Sequence, residues 1–438
     1  MTASRAQAVV LALAAVVMLP LAVFASKGVA PLQAVAALVL VGIRYGMTRT
    51  LPHPPVRLVW LFALLLAWCM AGALWAVDPR QTLLKVGQLL GTVIAGLVLL
   101  EAALSLDGDG RAILRRGLLA GALAAVVVLG FEVVTDAVIT RAVHGITPES
   151  QADWRTEKNY FSFIKNSAAL TALMVWPVAV ALMSGRQGAW SWTIALVFAG
   201  GLALVAGAGA HTAGAALVAG FVVFALARWL PRLVAALIAG TLVVTLAAAP
   251  LLPPLLPRDQ QQVAAHLPSF VPTSIHHRIL IWQFVAKRIA ERPLLGWGLD
   301  SARSLPGGAE KVHILVDYPD GRRLDVTQET LPLHPHNTLL QWWLELGVPG
   351  VVMAGALVVV TVRRTPLVLA RRDERAAALA LLVTVLLIAN SSYGAFQNWW
   401  LGGVWLAVAF LAGAAEASED ALVGAGGHER HAEERVVG

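Results

Sequence analysis

The chain has 438 residues, 58% hydrophobic and only 13% charged, with a mean hydropathy of +0.72. Soluble domains carry about 25% charged residues, so this composition excludes an ordinary soluble protein and points to one built in a bilayer. The net charge of +7 would suggest nucleic acid for a soluble chain; here it fits cationic loops on one side of a membrane and a site for anionic lipid, with no nucleic-acid partner.

Apolar runs of about 20 residues, each able to cross a ~30 Å hydrocarbon core, recur from end to end. The first, Val9 to Ala25, ends in Val-Phe-Ala, which resembles a signal-peptidase site. Arg5 is the only cation before it, however, and the run reads as a retained first span. Twelve spans follow from the pattern: 7–25, 30–46, 57–77, 82–104, 114–134, 167–184, 189–208, 211–228, 232–254, 336–362, 374–392 and 397–416. Each must be a helix, because no other open structure satisfies its own backbone in lipid. The expected fold is an all-α polytopic membrane protein. Spans one to nine occupy 1–254, broken by a polar, basic loop at 135–166; a large polar loop covers 255–335; spans ten to twelve lie in 336–417. The charged tail 418–438 is expected to be disordered.

Short-loop cations set the orientation. One set of connections holds Arg44, Arg49, Arg57, Arg111, Arg115, Arg116, Arg186, Arg228, Arg232, Arg363, Arg364, Arg371, Arg372 and Arg375. The opposite set, polar segments aside, holds only Lys27 and Arg80. The cation-rich side is expected to be cytoplasmic, with both polar segments facing outwards. Lone cysteine Cys69 sits in an apolar run, so no disulfide framework is possible. The glycines of Ala206-Gly-Ala-Gly-Ala210 serve close helix packing; no Walker lysine follows them.

In the large loop, Pro250, Pro253, Pro254 and Pro257 end the ninth span. A helical pattern returns from Ser274 to Glu291, with Ile275, Ile279, Trp282 and Ile289 on one stripe among cations. It predicts an amphipathic helix along the outer membrane–water boundary. Leu294 to Gly298 reads as a turn, and Val312–Leu315 with Leu324–Val326 as a small hairpin.

Arg278 lies one turn before Trp282, on the same helical face. It either snorkels toward lipid headgroups or binds an anion. Arg155, Lys158 and Lys165 form a second outward cationic group beside Asn166. Asp153 and Glu157 could simply neutralise them, but an arginine offers phosphate a bidentate fork. In His334-Pro-His-Asn337, two histidines stand at the expected membrane surface. His-x-His can supply two metal ligands, but a catalytic site needs a third. Glu345, nine residues on, points half a turn away from His336 on a continuous helix, so no metal or other cofactor is expected. A neutral imidazole with a pKa of about 6.5 suits His336 to a general base, with Asn337 and the helix start available to orient it. The bland alternative is an ordinary helix entry after Pro335. His334 shares the chemistry but lies across the proline, so it is expected to matter much less. Gly347 and Pro349-Gly350 should interrupt the helix.

His336-Asn337 followed by Glu345, Gly347 and Gly350 resembles the signature of the O-antigen ligase and polymerase family (the Wzy_C type). Arg278, Trp282 and Pro293-Leu-Leu-Gly-Trp-Gly298 also resemble that family's loop pattern. His211 stands where the family often carries another arginine, a departure that leaves its role open. The resemblance implies a GT-C-like, inverting, metal-independent glycosyltransferase of the bacterial inner membrane with a periplasmic active site. The implied donor is O-antigen on undecaprenyl diphosphate and the implied acceptor is lipid A–core oligosaccharide, both membrane lipids. It implies His336 as base and Arg278, Arg155, Lys158 and Lys165 as diphosphate ligands, with His334, Asn337, Trp282, Asn166 and Glu345 in support. O-antigen polymerase and protein O-oligosaccharyltransferase are the neighbouring alternatives. A twelve-span transporter is a more distant one. It would need ionisable groups near mid-span, and only Lys85 and Glu132 come close.

Overall fold

The computed structural model describes residues 2–147, 154–183, 190–257, 274–317 and 323–416; the expected disordered tail and the tip of the expected hairpin, 318–322, lie outside them. In chain order the elements are α1 (Ala3–Ala25), α2 (Val29–Thr48), α3 (Val56–Ala71), α4 (Pro79–Leu104), α5 (Gly108–Val134), a short α6 (Val138–Val143), α7 (Trp154–Met183), α8 (Trp190–Gly207), α9 (His211–Trp229), α10 (Pro231–Ala248), α11 (Ser274–Glu291), β1 (Lys311–Asp317), β2 (Arg323–Glu329), α12 (Thr338–Val368), α13 (Arg372–Ala389) and α14 (Asn398–Ala414). The protein is an all-α polytopic membrane protein. Each predicted span coincides with a helix. Among the described residues, eight helical stretches are long and apolar enough to cross a membrane; the first, Ala3–Thr48, includes both α1 and α2.

Local chemistry sets the helix ends. Asp78 caps α4 by accepting from the Gln81 N–H, with Pro79 opening the first turn. Asp107 caps α5 through the Gly110 N–H. Buried Glu132 accepts from the N–H groups of Ile139 (3.1 Å) and Thr140 (2.8 Å), so it caps α6 and is not arranged for transport. Small residues bring helices together: a Cβ on Gly121 of α5 would collide with the Ala15 carbonyl of α1. The main core runs through α1, α7, α9, α13 and α14, with Leu11, Met18, Leu170, Trp176 and Phe410 buried in it.

Contacts between connections divide the bundle into two ends. At one, Arg44 pairs with Glu101, Arg228 with Asp373 (2.8 Å) and Arg371 with Glu416 (2.7 Å), while Ser4 Oγ accepts from the Asp107 N–H. At the other, Asn166 reaches Ser26 Oγ (3.1 Å), Trp75 the Leu295 carbonyl (3.2 Å) and Tyr393 the Lys165 carbonyl (3.3 Å). This is the partition that the short-loop arginines predict.

One expectation needs correction. The basic stretch expected as a loop through 166 is helical from Trp154, because α7 extends the sixth span well beyond its apolar part. Positions 155, 158 and 165 therefore share one side of a helix, within about 80° at 100° per residue. The helix α11 has the predicted bounds, and its Ile281, Val285 and Ile289 are buried and pack with Leu242, Leu246, Leu340 and Leu344 of α10 and α12. The hairpin forms as expected, antiparallel with Ile314 opposite Val326.

Candidate functional site

His336 sits at the second end of the bundle, just before α12, with a left-handed backbone (φ 54°). That conformation costs a residue with a side chain about 1–3 kcal/mol and persists only where the surroundings enforce it. Here they do. The Trp282 indole N–H donates to the Pro335 carbonyl (3.0 Å), which fastens the segment to α11. Asn337 caps α12 by accepting from the Leu340 N–H (3.1 Å). Thr338 Oγ donates to the Ala389 carbonyl (2.9 Å) and Asn390 Oδ1 accepts from the Leu339 N–H (3.1 Å), tying the helix start to the end of α13.

The His336 ring is oriented by the loop after α13 and not, as expected, by Asn337. Its Nδ1 lies 2.8 Å from the Ser392 carbonyl. A carbonyl only accepts, so Nδ1 carries the proton and the neutral ring's lone pair is on Nε2. His334 is not an independent neighbour. Its Nδ1 accepts from the His336 N–H (3.2 Å), and the two rings lie 4.2 Å apart. His334 is buried, and burial with His336, Arg303 and Arg278 close by holds its pKa down at about 3.

Arg278 is half-buried, and desolvation lowers its pKa from the usual guanidinium value. Among the described residues no hydrogen bond or ion pair reaches it. It lies within electrostatic range of both His334 and Lys165. Arg155 and Lys158 belong to α7, but their side chains are outside the described residues. Asn166 is a structural tie to Ser26. His211 is exposed at the start of α9, which supports the plain helix-end reading.

Glu345 proves to be scaffold. Its buried carboxylate accepts from Gln341 Nε2 (2.9 Å) and the Asp300 N–H (2.5 Å), and Gln341 Oε1 in turn accepts from the Ala395 N–H (2.8 Å). Nearby, Gly347 breaks α12 (φ 62°, ψ −167°). The Trp297 and Gly298 N–H groups donate to the Leu344 and Glu345 carbonyls (2.8 and 3.0 Å), and Val348 N–H to Pro293 (3.1 Å). The two glycine motifs thus interlock: a Cβ on Gly296 would come within 2.7 Å of Glu345 backbone, and one on Gly347 would strike the Leu294 carbonyl. Pro349 and Gly350 stay within the helix. A crevice beside His334 is lined by Lys85, Asp300, Arg303, Gln341 and Gln397. Among the described residues, no group of three or more His, Cys, Asp or Glu side chains is spaced to hold a metal ion.

Residues 194–355 match the family model described as O-antigen ligase. Over that stretch the chain is similar to O-antigen ligases. A protein of Rickettsia conorii, provisionally named a polysaccharide ligase, is 26% identical over 81% of this chain and 79% of its own length. A Rickettsia prowazekii protein with the same provisional name is 26% identical over 78% and 77%. No solved structure matches the chain. The matched stretch holds Arg278, Trp282, both interlocking glycine motifs and the His334–Asn337 segment. It excludes the α7 cations and Ser392.

Sequence reasoning missed Ser392, Asn390 and Asp300. Ser392 acts through its main-chain carbonyl, which any residue would supply, so no sequence signal marks it. Gln341 was legible as the residue one turn before Glu345.

Proposed function

We propose that the protein is an O-antigen ligase that transfers glycan from undecaprenyl diphosphate to lipid A–core oligosaccharide at the periplasmic face of the inner membrane. The reading rests above all on one juxtaposition: an imidazole with its lone pair on Nε2 and a half-buried guanidinium without a counter-ion among the described residues, held at the same end of the bundle. The family match and the polysaccharide-ligase relatives support glycan assembly as its setting.

In the proposed reaction His336 Nε2 takes the proton of the acceptor hydroxyl. The hydroxyl oxygen attacks the anomeric carbon from the face opposite the diphosphate, and the carbon–oxygen bond to the carrier breaks. The leaving electron pair goes to undecaprenyl diphosphate, whose charge Arg278 stabilises, assisted by Arg155, Lys158 and Lys165. Attack opposite the leaving group inverts the anomeric centre. Chemistry of this kind is accelerated by alignment and by charge stabilisation, and the activated donor needs neither metal nor nucleotide.

The deciding experiment supplies the purified protein in lipid with carrier-linked glycan and, in turn, lipid A–core, a second carrier-linked glycan, or a pilin. Transfer to lipid A–core alone is the expected result. Chain lengthening would make it a polymerase, pilin modification a protein oligosaccharyltransferase, and no transfer to any of them would overturn the reading. Orientation is tested by cysteine labelling from outside spheroplasts, where Lys311→Cys should react and Arg372→Cys should not.

A further inference from the structure

We propose that His334 is a positioning residue: its Nδ1 accepts the His336 N–H and so holds the backbone turn that aims the His336 ring at Ser392. The inference rests on the reading of His336 as the base. His336 has a left-handed backbone (φ 54°) although it has a side chain, and such a conformation needs outside support. The 3.2 Å bond from its own N–H to His334 supplies that support.

His334 also touches the other partner of the base. A Cβ added to Gly394 would lie 3.1 Å from His334 Cγ, so the His334 ring packs directly on the loop whose Ser392 carbonyl receives His336 Nδ1. One ring therefore sets the spacing between His336 and the carbonyl that fixes its tautomer. Only a neutral imidazole can accept at Nδ1. Burial and the cations nearby, Arg303 and Arg278, keep His334 in that form, while Lys85 and Asp300 line the crevice on which it borders.

The test compares His334→Ala, His334→Asn and His334→Gln, each also combined with His336→Ala, by kcat and donor KM on the lipid-reconstituted enzyme. Asparagine can place its amide oxygen near the Nδ1 position; glutamine carries its amide one bond further. Misplacing a reacting group by about 1 Å can cost ~10²-fold, so alanine and glutamine should lower kcat roughly 10- to 100-fold with donor KM little changed. Asparagine should restore most of it. In the His336→Ala background the His334 changes should cost nothing more, since residues acting through one step are not additive.

Wild-type kcat in His334→Ala, glutamine rescuing as well as asparagine, or losses that multiply with His336→Ala would each overturn the proposal while leaving the base assignment standing. Normal turnover in His336→Ala alone would instead overturn the base assignment and this inference with it. Should the alanine variant fail to fold, judged by its elution in detergent, the asparagine–glutamine comparison carries the test.

Discussion

At one end of the bundle Arg228 and Arg371 meet carboxylates, Arg44 pairs with Glu101, and Arg111 and Arg115 donate to the carbonyls of Ala415 and Ala414. At the other, Arg288 and Arg303 are likewise paired with Glu291 and Asp300. Arg278 alone of these is withdrawn from water with no such partner among the described residues. Burying a charge is costly unless it is matched. A charge matched from within holds a fold together; Arg278, without such a match among the described residues, is open to a partner from outside.

The sharpest way to break this contrast is His336→Ala, expected to lose ~10²–10⁴-fold in turnover, the usual range for a general base. Donor-lipid binding should survive. Near-normal turnover, or a defect in binding alone, would move His336 from the base to at most a phosphate ligand.

Next in size is Arg278→Ala, for which loss of a charge-assisted bond to the leaving group should cost about 2–4 kcal/mol, roughly 30- to 1000-fold in rate. Arg278→Lys should retain more. The matching control is Arg228→Ala at the opposite end, which removes a partly exposed ion pair worth about 0–1 kcal/mol and should leave turnover alone. Equal effects of the two alanine variants would erase the distinction between the ends.

Gly347→Ala probes the matched region. Its backbone conformation is one that only glycine adopts readily, and a Cβ would meet the Leu294 carbonyl. The expected cost is about 1–3 kcal/mol from the backbone alone, read as a lower unfolding midpoint in detergent. An unchanged midpoint would show that the two glycine motifs do not brace one another.

The smallest effect near neutral pH concerns His334. Its pKa is about 3 in the folded protein against about 6.5 for an ordinary histidine, so between those limits the unfolded chain binds more protons. The stability it contributes is therefore fully present above about pH 6.5 and declines as pH falls toward 3, with a slope of at most about 1.4 kcal/mol per unit. Unfolding midpoints measured across that window should fall less steeply in His334→Asn. An identical pH dependence would mean the ring is not held neutral by its surroundings.

Much of this architecture was legible in the residues. Apolar runs of bilayer length left no alternative to helices, and the bounds of α11 followed from its own periodicity. Arg278 and Trp282 shared a face by spacing, and Gly347 was visible as a helix breaker. These are local properties, set by the backbone's need for hydrogen bonds in lipid and by 3.6-residue geometry.

What the tertiary structure decided was which polar groups find partners. Glu345 looked like one more member of a functional signature, and only the approach of Asp300 and Gln341 makes it scaffold. Asn337 looked like an orienting group and caps a helix, and apolar residues of α11 find partners on α10 and α12. The Ser392 carbonyl that sets the His336 tautomer lies 56 residues away in sequence. A main-chain carbonyl is common to every residue type, so composition and spacing cannot reveal which one a distant imidazole will meet. That depends on how the helices pack.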